Sequence, residues 1–198
     1  MPYELRMARA ALGFRPHTGW AAAVGIVEGP DVPRVVLRRR LELFGASAHV
    51  YHRAAEQRAT ARALVDDAST EVRLRADAAV AECAAELERA GHAVAGATVI
   101  RSSAKLPAAL DAILASHPLI HSAEGELFAG ALDDACRARK LPVGSVAHRN
   151  LSARAAAALG LGEEELRRRV TAAGRAVGKP WAQDQKAAML AAWPALLA

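Results

Sequence analysis

The spacing of apolar residues changes once along the chain, at Gly45, and that change limits the fold more than any other feature. Before it, Leu12 to Val27 reads as two strands joined by a turn around Pro16–Gly19. Glu28 to Pro33 forms a second turn rich in Gly and Pro, and Val35 to Phe44 then alternates at period two, as a half-exposed strand does. The first 45 residues therefore predict a three-stranded antiparallel meander.

Beyond Gly45 the period becomes helical. Arg53 to Ala90 holds neither Gly nor Pro and places Val72, Ala76, Ala79, Val80, Cys83 and Leu87 at three- and four-residue steps. This predicts one long amphipathic helix, irregular near Asp66–Thr70, with Gly91 as its stop. Val94 to Ile100 is a nearly unbroken apolar run, suited to a strand buried on both faces. Leu106–Ser116 reads as a short helix. His117-Pro118 opens another, with Pro in the first turn, running to about Lys140. Val143–Ala147 is a second short buried strand, and helices over Ser152–Leu159, Glu163–Ala173 and Trp181–Leu197 finish the chain. Without repeats, linkers or low-complexity segments, residues 1–198 read as a single α/β domain of order β-β-β-α-β-α-β-α. A meander followed by right-handed crossovers makes a mixed sheet with helices on both faces.

Composition narrows function mainly by exclusion. With 53% hydrophobic residues the chain is neither disordered nor fibrous. The net charge of +5 is carried by 22 arginines and only 4 lysines, which suits phosphate or carboxylate partners and equally suits an Arg- and Ala-rich coding bias. Much of that charge looks neutralised. Glu163-Glu164-Glu165 precedes Arg167-Arg168-Arg169 at i,i+4 spacing, and Arg38-Arg39-Arg40 on a strand is split between two faces. The aromatic residues are scattered rather than grouped into a stacking platform. Trp181 and Trp193 in the last helix, with Met189, Leu190, Leu196 and Leu197, form an apolar stripe for core packing or for a homodimer. Cys83 and Cys136 lie far apart, and no CxxC or Cys/His cluster occurs in the linear sequence, so no metal site and no cofactor are expected. Met1–Arg9 lacks a signal-peptide core and no apolar run is long enough to span a membrane, which reads as a cytoplasmic protein with no membrane partner.

The predicted element order is that of the ribonuclease H-like superfamily, and short stretches resemble Holliday-junction resolvases of the RuvC type. These are Leu12…Thr18-Gly19-Trp20, the helix Glu124–Leu141 ending in Leu-Pro-Val143, and Gly174…Gly178-Lys179…Asp184-Gln185. The resemblance implies a nuclease scaffold on which carboxylates from the first strand, the fourth strand and a C-terminal helix hold two divalent metals. Here the pattern fails. No acid occurs between Glu4 and Glu28, the fourth strand ends Ile100-Arg101-Ser102-Ser103, and the last helix offers only Asp184. The expectation is a degenerate, non-catalytic module that binds nucleic acid or a protein partner.

The alternative is a small-anion binder or hydrolytic enzyme built at the carboxyl ends of the strands. The residues that this end gathers are His17, Arg101, Ser102, Ser103, His148 and Arg149, with His121 and Glu124 from the start of their helix. His and Ser also serve as ordinary hydrogen-bonding residues in such loops. His121 and Glu124 share a helical face at i,i+3, which suits either an oriented base or a plain surface hydrogen bond. Gly174 to Pro180 falls short of a phosphate-binding loop, having three residues between its glycines and Pro180 where a hydroxyl belongs. Lys179 and Arg175 remain candidates for contact with phosphate.

Overall fold

The computed structural model describes residues 7–45 and 47–197. The meander forms as the alternation requires: β1 (Ala8–His17) and β3 (Arg34–Glu42) flank β2 (Trp20–Val27) in antiparallel register. Two strands then add on the other side of β1 in parallel, β4 (His92–Arg101) and β5 (Val143–Ala147), giving the order β3-β2-β1-β4-β5. β1 is central and β5 is an edge. The carboxyl ends of β1, β4 and β5 therefore open on one side of the sheet.

Strand parity divides the helices between two layers. Ala10, Leu12 and Phe14 of β1 and Ala97 and Val99 of β4 face one way. They are covered by α2 (Ala61–Arg89) and α4 (His117–Ala138), whose Val72, Val80, Cys83, Phe128, Leu132 and Cys136 complete that core. Ala11 of β1 with Val24 and Ile26 of β2 face the opposite layer of α5 (Leu151–Leu159), α6 (Glu163–Val177) and α7 (Gln183–Leu197). Met189, Ala192, Trp193 and Leu196 pack there, so most of the apolar stripe expected of the last helix is core, whereas Leu197 is exposed and Trp181 precedes the helix. Gly13 lies under α7, where a Cβ would collide with the Ala188 carbonyl oxygen. The helix thus seats backbone against backbone on the central strand.

The long helix expected from Arg53 is broken earlier than the sequence suggests. α1 (Val50–Glu56) ends at Gln57, whose φ of −116° and ψ of 58° are not helical, and a short 3-10 turn (Arg58–Thr60) leads into α2. No break occurs at Asp66–Thr70: α2 runs through it, and the Ser69 and Thr70 hydroxyls donate back to the Val65 and Asp66 carbonyls within the continuous helix. Ala on both sides of Gln57 favours helix throughout, so the corner is set by tertiary contacts. The short helix expected at Leu106–Ser116 is confined to α3 (Leu110–Leu114), which packs with α1 over a small apolar cluster including Val50, Ala54, Leu114 and Ile120. Among the described residues, no helix is long and apolar enough to cross a membrane.

Candidate functional site

Two polar centres stand out, one on each side of the sheet. The first lies at the carboxyl end of β1. Residues 11, 13, 15 and 17 point to the α7 layer, so Arg15 and His17 emerge where that helix begins. His17 Nε2 is 2.8 Å from Asp184 Oδ1, and Arg15 Nε is 4.0 Å from the same oxygen. His148, in the short turn after β5, shares this environment. Burial lowers its pKa, Arg15 lowers it further, Asp184 opposes the shift, and His17 adds to it. One carboxylate thus stands among three basic side chains.

The centre continues across the meander. The His17 ring stacks on Trp20 with centroids 4.3 Å apart, and the Arg40 guanidinium lies 3.7 Å from the Trp20 ring centroid. Trp20 is the aromatic anchor that sequence reading left among scattered rings; the signal was its place opposite His17 in the hairpin. Arg38, on the same face as Arg40, donates to the carbonyls of Gly178 at 2.8 Å and Pro180 at 2.7 Å, whereas Arg39 turns the other way to Glu82 and Glu86. The Gly174–Pro180 segment is structural here: Trp181 packs where a Gly174 side chain would stand, and its indole donates to the Val170 carbonyl.

The second centre lies in the α2/α4 layer. Arg101 has the parity of Ala97 and Val99, so it leaves the sheet on that side and pairs with Glu126 and, at 3.8 Å, with Asp133. It does not meet His17. At the start of α4, Glu124 is 2% exposed, and its Oε1 accepts the backbone N–H groups of Tyr51 (3.0 Å) and His52 (3.2 Å) as well as His52 Nδ1 (3.1 Å). Its Oε2 is buried without a hydrogen-bond partner, with His49 Nδ1 3.5 Å away. The Glu124 charge, added to burial, holds the Tyr51 phenol above its ordinary range. Around His52 stand His117 and His121, so α1 and α4 gather a cluster whose ligand atoms lie within 4.8 Å of one another. The sequence alone singles out His121 and Glu124 but not His49, His52 and His117. The i,i+4 pair His117/His121 was the available signal; the approach of α1 was not.

The other candidates stay apart from both centres. Ser102 Oγ accepts the Ala104 N–H at 3.2 Å in an exposed loop, and Ser103, Arg149 and Lys179 are exposed. Lys179 contributes its carbonyl to Arg38 at 3.4 Å.

A five-stranded mixed sheet in this order, helices on both faces and polar residues where α7 meets the end of β1, define a ribonuclease H-like fold. The chain is similar to Thermus thermophilus RuvC, with a TM-score of 0.56 at 13% identity over 93% of this chain and 91% of that one. It is equally similar to T. thermophilus RuvC in complex with Holliday junction substrate, with a TM-score of 0.56 at 12% identity over 94% and 91% of the two chains. No family model matches the sequence, and no curated protein matches it either.

Proposed function

We propose that this protein is a non-catalytic ribonuclease H-like module that binds the phosphate backbone of nucleic acid through the carboxyl-end centre. The observation that carries the reading is the gathering of Arg15, His17 and His148 around the single carboxylate of Asp184. Hard divalent cations take oxygen ligands, and a two-metal nuclease needs several carboxylates to hold them. Asp184 alone, with Oδ1 already engaged by His17, does not fit that requirement. Glu126 and Asp133 lie with Arg101 in the other layer of the sheet. With the charge reversed, the same location suits an anion directly. Arg40, held against Trp20 and paired with Glu42 at 2.5 Å, and Arg15, held near Asp184, flank the centre and lose less freedom on binding than loose side chains would. The similarity to RuvC, one structure of which holds a Holliday junction, supports nucleic acid over a protein partner.

The test is fluorescence anisotropy of the tag-free protein with duplex DNA, four-way-junction DNA and RNA over a salt series. Binding with a log–log salt slope of roughly −2 to −4 is expected, about 0.9 per phosphate contact, weakened at least several-fold by a double Arg15→Ala, Arg40→Ala change. No cutting should follow addition of Mg²⁺ or Mn²⁺. Absence of binding at low salt removes the reading. Metal-dependent cutting that Asp184→Asn abolishes shows instead an active nuclease.

A further inference from the structure

From the histidines gathered by α1 and α4, we infer a second, independent site: a transition-metal centre in which His52, His117 and His121 bind one divalent ion of the zinc class and Glu124 positions His52. Glu124 Oε1 accepts two backbone N–H groups, so toward His52 Nδ1, 3.1 Å away, the carboxylate also acts as acceptor. His52 therefore carries its proton on Nδ1 and presents a bare Nε2 lone pair on the far side of the ring. A carboxylate behind a histidine is the arrangement that fixes the ring and raises its basicity for a metal.

The two other ligands come from one helical face. His117 and His121 are one turn apart on α4, with ring centroids 4.4 Å apart, and the His52 ring lies 4.7 Å from His121 and 5.5 Å from His117. One nitrogen from each of the three lies within 4.8 Å of the others. Around a tetrahedral ion with metal–nitrogen bonds near 2.0–2.1 Å, such nitrogens stand about 3.3 Å apart. The remaining closure is small, and His117 and His121 are exposed side chains able to make it by rotation. Three imidazoles leave a fourth position facing solvent for water.

Charge supplies the independent observation. Glu124 is almost fully buried, yet Oε2 has no hydrogen-bond partner. A buried carboxylate left in that condition is costly unless positive charge lies close by. His49 Nδ1, 3.5 Å from Oε2, supplies it only when protonated, whereas an ion on the opposite nitrogen of His52 provides it through the ring at Oε1. Imidazole ligands select zinc, copper or nickel over the hard cations that carboxylates take, so this site is chemically unlike the two-metal centre of a nuclease.

The experiment is isothermal titration of the tag-free, chelator-treated full chain with ZnCl₂, paired with Co²⁺ absorption spectroscopy. One ion per chain is expected, with the visible d–d bands of a four-coordinate site. His117→Ala and His121→Ala, both at exposed positions, should each weaken binding by at least tenfold while thermal melts stay cooperative. Glu124→Gln should keep the stoichiometry and weaken affinity by about 10- to 100-fold, as loss of a partner behind a ligand does. A double His17→Ala, His148→Ala change should leave metal uptake unaltered, which separates this site from the nucleic-acid reading. Absence of saturable zinc uptake, or uptake indifferent to His117→Ala together with His121→Ala, overturns the inference.

Discussion

His17 and Asp184, 167 residues apart in sequence, meet at 2.8 Å and tie the end of the central strand to the first turn of α7. The pair restrains the carboxylate that lies between Arg15 and His17. Asp184→Asn should therefore tighten nucleic-acid binding by about 2- to 5-fold, in line with the ~0.2–1 kcal/mol that exposed ion pairs contribute. Anisotropy titrations at fixed salt measure it. Weaker binding would show that Asp184 is needed to orient His17 rather than merely opposing the ligand's charge.

His148 supplies a pH signature for the same centre. Its folded pKa is lowered below the ordinary 6.5, first by burial and then by Arg15, against the pull of Asp184. As pH falls through 6.5 the unfolded chain takes up the proton before the folded one, so this residue's contribution to stability is full above 6.5 and drains below it. An NMR titration of the imidazole should place the midpoint under 6.5, and Arg15→Ala should move it upward. A midpoint unmoved by that change would mean that the guanidinium does not face the ring in solution.

Gly13 governs how α7 sits. A Cβ at this position meets backbone, the Ala188 carbonyl and the Ala192 nitrogen, rather than a side chain that could rotate away. Gly13→Ala should cost at least the ~3 kcal/mol upper range of overpacked cores, lowering Tm by about 6–12 °C for a domain of this size. Differential scanning calorimetry reads it. The His17–Asp184 contact should loosen too, since Asp184 rides on the displaced helix.

The elements of this fold are legible because the periods are clean: the meander, both parallel strands and α4 fall within a few residues of where the spacing of apolar side chains places them. The site was legible only in part, for reasons of parity and long-range approach. His17 and His148 converge because one ends a central strand and the other follows the parallel edge strand. Arg101, also at a strand end, departs to the opposite layer because it shares the parity of Val99. Glu124 read as half of a surface pair with His121. It is instead the buried acceptor for the start of α1, a role fixed by a corner at Gln57 that Ala-rich sequence does not announce. Trp20 looked isolated in a chain with few aromatics, yet pairing in the hairpin sets His17 on its ring. Periodicity reports which face of an element is apolar, but not which other element will come to cover it.

The two cysteines report on the opening of the core between α2 and α4. Cys83 on α2 and Cys136 on α4 are both free and fully buried in the core between these helices and the sheet. Burial is the leading reason that each thiol is pushed up to about 12. Reactivity follows the thiolate, whose population at pH 8 is then on the order of a thousandfold below that of a free cysteine. A chromogenic disulfide reagent should label neither thiol in the native protein and both in denaturant. The labelling rate at intermediate denaturant should track global unfolding, since α2 and α4 must separate before either sulfur is reached. Fast labelling of Cys136 under native conditions would show that α4 opens locally. In that event, zinc bound by His117 and His121 should slow the labelling.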